Sequence, residues 1–270
     1  MVITDLDGTL LRDDKKVSAK DLATLHRLGK KGMVRVAATG RPIQLVYDVL
    51  PRDFPIDYAV FSSGAGVADW KTGEIMRSLQ FARPQVAPII KLLKTHGLSF
   101  AVQRAIPENH TYYYHKGRIL TRDFRDRVMR SEGLARPLPA NGYTEKFASQ
   151  LLVTFEDIRD FDSIRNSLEA VQVIRATSPV DFRTIWMEIF PLEVSKGQAC
   201  AWLCRQLGIP GASTLAVGND FNDLHMLEWA AHSYVVSNAP AELQARFSTV
   251  DSNQASGFSK AVNLKLDAQL

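Results

Sequence analysis

Three short apolar runs, residues 2–4, 34–38 and 58–61, each break off at small, acidic or hydroxyl-bearing residues. A helical pattern lies between the first two. It opens at Ser18, a suitable N-cap, and runs through Leu22, Leu25 and Leu28 to Gly32. Pro42 can start the next helix in its first turn. Buried strands separated by helices of this length imply βαβ units, a parallel sheet and right-handed crossovers. The alternation is expected again near the carboxyl end, with strands at 185–190, 214–217 and 234–236 and helices at 195–206 and 222–230. The intervening texture differs. A hairpin-like stretch at 66–79 turns near Lys71-Thr72-Gly73, and a helix follows from Arg83. Strands are expected near Phe100, at 112–114, 151–155 and 171–176, with a helix at 158–168 and a loose Gly/Pro/Asn region at 133–143. The fold class is therefore α/β. A doubly wound, parallel-sheet (Rossmann-like) core is formed by residues 1–81 and 185–270, with an α/β segment, 82–184, inserted between its halves.

Composition narrows the classes. With 46% hydrophobic and 23% charged residues the chain is globular in type, and no apolar run approaches the roughly 18 residues of a membrane span. Met1 is followed at once by a strand-like stretch, so no leader segment is expected. Cys200 and Cys204 share one helix face and read as packing residues, which points to a reducing cytoplasm. Residues 82–184 hold 16 Lys and Arg against 11 Asp and Glu, while the rest holds 17 against 18. The inserted segment thus carries the positive excess, a sign that suits an anionic substrate as well as nucleic acid. Its densest run, 122–130, is interleaved with Asp123 and Asp126, the pattern of a solvated helix face.

Ligands of open parallel sheets bind outside the carboxyl ends of the strands. What stands at those ends is Asp5-Leu6-Asp7-Gly8-Thr9, Thr39-Gly40-Arg41 and Ser63-Gly64 in the first half. In the second half it is Ser195-Lys196-Gly197, Gly218-Asn219-Asp220-Phe221-Asn222-Asp223 and Ser237-Asn238. Carboxylates, hydroxyls, a lysine and glycines on one rim suit phosphoryl transfer with a hard cation. Asp5 and Asp7, two apart at a strand end, would repel each other without a cation, and Mg²⁺ takes oxygen ligands of this kind. One carboxylate can attack phosphorus while the other handles the proton of the leaving oxygen. Gly8 allows close approach of a phosphate. The Thr39 hydroxyl and Gly40 amide can donate to phosphate oxygens, and Lys196 offsets charge that develops in the transition state. Asp220 and Asp223 would add anionic ligands. Each feature alone also has a plain structural reading: an Asx turn, a strand-ending turn, a surface lysine, an N-cap. Those readings would have to hold together at four strand ends.

These residues resemble a known set. Asp5 to Leu11, Ala38-Thr39-Gly40-Arg41, Ser195-Lys196-Gly197 and Gly218 to Leu227 are similar to the four motifs of the haloacid dehalogenase superfamily, Cof-like phosphatase subgroup. The likeness runs from residue 2 to about 262 and includes Ser237-Asn238-Ala239 and Ser252-Asn253 through Gly257. It implies a Mg²⁺-dependent phosphatase that forms an aspartyl-phosphate on Asp5, which is also a metal ligand. Asp7 would be the general acid/base and bind Mg²⁺ through its main-chain carbonyl. Lys196 would steady Asp5 and the phosphate. Thr39, Gly40, Arg41 and Asn222 would bind phosphate or substrate, Gly64 would line the floor, and Asp223 and Asn238 would lie just behind. Two departures stand out. Asn219 occupies the position where the family usually has Asp, so the third side-chain ligand is Asn219 or, after a one-residue shift, Asp220. Only four residues precede Asp5, so the first strand is expected to be short or the true start to lie upstream.

The expected substrate is a small phosphorylated metabolite, a sugar phosphate above all. The protein would be a cytoplasmic monomer or homodimer without nucleic-acid or membrane partners. A phosphomutase of the phosphomannomutase type is the alternative, with Arg104, Arg118 and Arg122 as candidates for a second phosphate grip. A phospho-accepting signalling module is more distant, because its acceptor belongs at the end of the third strand, where Ser62-Ser63 stands. A nucleotide-binding regulator would need a Gly-x-Gly-x-x-Gly or Gly-x4-Gly-Lys motif, and the chain has neither.

Overall fold

The structure is a computed structural model that describes residues 1–179, 181 and 183–267; residues 180 and 182 of the expected inserted segment lie outside them. The chain divides into two compact units, Met1–Arg77 with Ser195–Leu270, and Ser78–Val194.

The first unit is built on an eight-stranded sheet. Its order is Ser248–Val250, His232–Val236, Leu215–Gly218, Val2–Thr4, Arg35–Ala38, Tyr58–Phe61, Gly66–Asp69 and Ile75–Ser78. The first six run parallel, and Gly66–Asp69 is antiparallel to Tyr58–Phe61. The strand Val2–Thr4 is only three residues long, yet it is fully buried and paired on both sides, with Leu215–Val217 and Arg35–Ala37. From it the chain winds first to one side and, much later, to the other. The carboxyl ends of Val2–Thr4 and Leu215–Gly218 therefore flank the point where winding reverses, where doubly wound sheets hold ligands. The helix Ala19–Lys30 starts where the sequence predicts, the Ser18 hydroxyl accepting from the Asp21 amide at 3.0 Å. Cys200 and Cys204, on Lys196–Leu207, are buried free thiols packed in the core with Ile3, Val36 and Ala216.

The second unit has a six-stranded sheet in the order Val171–Thr177, Ile185–Pro191, Gln150–Phe155, Phe100–Gln103, Tyr112–His115 and Ala135–Pro137. Alternation sorts its side chains. Leu151 and Val153 join the cluster under Arg83–Thr95 and Ile158–Asn166, whereas Leu152 packs with Phe124 of Arg122–Arg130 and with Trp186 on the other face. Ile185–Pro191 departs from the sequence expectation: it pairs antiparallel with Gln150–Phe155 and Val171–Thr177 and belongs to this sheet. A strand covered on both faces reads as one apolar run in either kind of sheet, so its pattern could not tell them apart. Among the described residues no helix is long and apolar enough to cross a membrane.

Candidate active site

The loop after Val2–Thr4 fixes the first set of groups. The Asp5 N–H donates to the Val217 carbonyl at 2.9 Å, which carries the pairing one residue past the strand. The chain then turns tightly, with Leu11 N–H on the Leu6 carbonyl at 2.8 Å and Gly8 at φ +75°. A Cβ on Gly8 would lie 2.6 Å from the Asn219 side chain, so this position needs glycine both for its backbone and for the approach of Asn219.

Lys196 is the pivot. It is the first residue of the helix Lys196–Leu207, whose start is capped by Ser195, and its side chain is wholly buried. Its ammonium donates to Asp5 Oδ1 at 2.8 Å, Asp223 Oδ1 at 2.6 Å and Asn222 Oδ1 at 3.3 Å. Three donors thus meet three acceptors. Burial alone would discharge the ammonium, but Asp223 and Asp5 outweigh it and hold the pKa above its ordinary value. Burial pushes the Asp5 carboxyl up; Lys196 opposes this, while Asp223 and Asp7 add to it. One lysine between two carboxylates leaves the site a negative charge in excess. The floor is closed by Gly64, at φ +100°, where a Cβ would meet the Ser195 carbonyl at 2.2 Å.

Asp223 holds its own loop together. Its Oδ2 accepts the main-chain N–H groups of Asn219 at 2.8 Å and Asp220 at 3.1 Å. Asp220 opens the turn Phe221–Asp223, and it is the Asn219 side chain that faces Asp5. Asn238 ties the next loop in, donating to the Gly8 carbonyl at 2.8 Å. Thr39 is buried and its hydroxyl accepts the Arg41 N–H at 3.1 Å, which leaves the hydroxyl hydrogen for a ligand. Gly40 lies between the two.

The carboxylate of Asp7 is turned away from that of Asp5. Arg41 grips it in a fork, with Nε on Oδ2 at 2.5 Å and Nη2 on Oδ1 at 2.7 Å, and Lys15 adds a bond of 2.9 Å to Oδ1. Burial works to raise this carboxyl, but the bonds from Arg41 and Lys15 win and its pKa is lowered. Arg41, expected at the phosphate, is therefore a partner of Asp7 here. Lys15 was not legible. It sits at φ +61° in a charged loop that a sequence reading assigns to solvent, and the only hint is that Leu11 forms bridges to both Asp7 and Val17, folding the loop back.

What remains beside Asp5 is the main-chain carbonyl of Asp7. No three His, Cys, Asp or Glu side chains among the described residues are grouped to hold a metal ion. The oxygen set is instead mixed: Asp5 Oδ2, the Asp7 carbonyl and the Asn219 side chain, whose inward atom lies 3.1 and 3.0 Å from the other two. Oxygens bound at about 2.1 Å to adjacent corners of a Mg²⁺ octahedron are about 3 Å apart. With the Asn219 amide oxygen turned inward, the donor set fits Mg²⁺, with one carboxylate and two neutral oxygens.

The sequence is 26% identical over 272 residues to a Bacillus subtilis protein named "Putative phosphatase YxeH", with 97% of each chain covered, and 26% identical over 274 residues to the 5-amino-6-(5-phospho-D-ribitylamino)uracil phosphatase YitU of Bacillus subtilis, with 96% of this chain and 95% of that one covered. The structure is similar to BT1666 from Bacteroides thetaiotaomicron, a phosphatase of the HAD superfamily, with a TM-score of 0.79, 20% identity and coverage of 97% and 93% of the two chains. It is also similar to the HAD subclass IIB sugar phosphatase BT4131, with a TM-score of 0.76, 18% identity and 97% of each chain covered. Residues 2–262 match the haloacid dehalogenase-like hydrolase family, and the chain belongs to that family of enzymes.

Proposed function

We propose that the protein is a Mg²⁺-dependent phosphatase that hydrolyses a small phosphorylated metabolite, most naturally a sugar phosphate, through an aspartyl-phosphate on Asp5. The observation that carries this reading is the division of labour on one buried carboxylate. Asp5 Oδ1 is fixed by Lys196 at 2.8 Å, and Oδ2 lies 3.1 Å from the inward atom of the Asn219 amide, which also reaches the Asp7 carbonyl. A carboxylate so held cannot rotate, and its attacking oxygen is aimed before substrate arrives.

Asp5, the Asp7 carbonyl and Asn219 would hold the ion. When bound, Mg²⁺ neutralises the surplus negative charge around Asp5 and polarises the phosphoryl group. Thr39 O–H and Gly40 N–H would donate to phosphate oxygens. The bond from Lys196 to Asn222, at 3.3 Å its longest, is the one a phosphate oxygen would replace. Asp7 would serve as acid and base. Ionised between Arg41 and Lys15, it is ready to take a proton from the water that cleaves the acyl phosphate. To give a proton to the leaving oxygen it must first part from those cations.

Support for a sugar phosphate comes from the resemblance to the sugar phosphatase BT4131. The unit Ser78–Val194 would serve as the cap that selects the leaving group. The phosphomutase alternative gains nothing from Arg104, which is spent on Glu108 and Glu145 in ion pairs of 2.7 Å. The test is phosphate release from a panel of sugar phosphates and simple aryl phosphates. Release is expected with Mg²⁺, is expected to stop with a chelator, and to return when Mg²⁺ is restored. Turnover that the chelator leaves untouched would refute the metal requirement.

A further inference from the structure

Asn219 stands where a carboxylate would bind a cation more tightly, and its surroundings give the amide a second use. Without an ion its side chain is satisfied with the nitrogen inward, because the reverse sets the amide oxygen against acceptors and the amide nitrogen against donors. With the oxygen inward it accepts from Thr9 Oγ1 at 3.1 Å and completes the oxygen set with Asp5 Oδ2 and the Asp7 carbonyl. With the nitrogen inward it donates to Asp5 Oδ2 at 3.1 Å, the Asp7 carbonyl at 3.0 Å and Thr9 Oγ1 at 3.1 Å. A hydroxyl donates or accepts as required, so Thr9 serves both orientations. With Asp5 ionised, its Oδ2 and the Asp7 main-chain oxygen are acceptors only. Without a cation, an inward oxygen on residue 219 would face them with nothing between, and an ionised aspartate there has no donor to offer. The absence of a side chain on Gly8 leaves room for the outward half of the amide.

We infer that Asn219 is a two-way positioning residue. Its amide nitrogen holds Asp5 and the Asp7 carbonyl in place when no ion is bound, and its amide oxygen becomes a ligand when an ion enters. The site is thereby kept in its loaded geometry while empty, and the hold on the ion is weaker than a third anionic ligand would give. The inference rests on the reading of these oxygens as a divalent cation site.

The test compares wild type, Asn219→Asp and Asn219→Ala after chelation, at pH 8, by thermal melting and by titration calorimetry with Mg²⁺. Metal-free Asn219→Asp is expected to melt lower than wild type by on the order of 3 °C or more. It is expected to bind Mg²⁺ about tenfold more tightly, since ligand charge raises affinity for hard cations. Asn219→Ala is expected to lose on both counts. Asn219→Asp that melts with wild type when metal-free, or binds Mg²⁺ no more tightly, would overturn the inference while leaving the metal site standing. Absence of Mg²⁺ binding in wild type and both variants would overturn the metal site and the inference together. Should Asn219→Asp not fold, ¹⁵N-asparagine labelling of wild type decides. The side-chain NH₂ signals missing from Asn219→Ala should be protected from exchange without metal and lose that protection with Mg²⁺. Signals that Mg²⁺ leaves unchanged would count against it.

Discussion

Lys196→Met is expected to destabilise the metal-free protein by about 3–5 kcal/mol, the usual cost of breaking a buried ion pair from one side. The substitution keeps the volume of the side chain but removes the charge between Asp5 and Asp223, both fully buried or nearly so. Asp223 retains its bonds from the Asn219 and Asp220 N–H groups. Asp5 loses the partner of Oδ1. Burial already pushes the Asp5 carboxyl up, so in the variant it should take up a proton near neutrality, and the loss should deepen as pH rises. Thermal melting with chelator, from pH 5 to 9, measures this. A variant that melts with wild type across that range would show that the triad is not what holds these loops. A Lys196→Met, Asp223→Asn double variant should recover part of the loss, because it removes one of the two buried carboxylates that Lys196 bridged.

Asp5→Asn is expected to lower turnover by at least about 10⁴-fold, the scale on which removal of a covalent nucleophile acts. This loss should come without unfolding. The Asp5 carboxyl is held at about 7 in the folded protein against an ordinary 3.8, with burial the main cause. A raised carboxyl contributes most to stability below its unfolded pKa, and that contribution falls away as pH rises through the window up to about 7. At pH 8 without metal the charged group is therefore a burden, and asparagine should melt no lower than wild type. Phosphate release and melting on the same sample check both halves. Equal turnover by variant and wild type would end the assignment of Asp5.

Much of this site could be read from the chain because a buried parallel strand announces itself as an apolar run and its chemistry stands at the run's carboxyl end. Asp5 and Lys196 are 191 residues apart in sequence, and the return of the chain to Leu215–Gly218 beside Val2–Thr4 brings them to 2.8 Å. Other parts were hidden for physical reasons. Lys15 reaches Asp7 from a charged loop that looks solvated, and the fork of Arg41 on Asp7 depends on a side-chain direction no spacing encodes. The edge strand Ser248–Val250 is short and mostly exposed, so it carries no apolar signal. Ile185–Pro191 gave the signal of a buried strand without saying which sheet it enters. At residue 219 the sequence raised the question of Asn219 or Asp220, and the packing of Asn219 over Gly8 turns its side chain toward Asp5.

The most direct measurement is to quench the enzyme with acid during turnover, reduce it with borohydride and map the peptides by mass. An acyl phosphate on the Asp5 side chain would be reduced to homoserine at position 5, and that is the predicted product. Homoserine at another position, or no modified residue while phosphate is being released, would contradict covalent catalysis by Asp5.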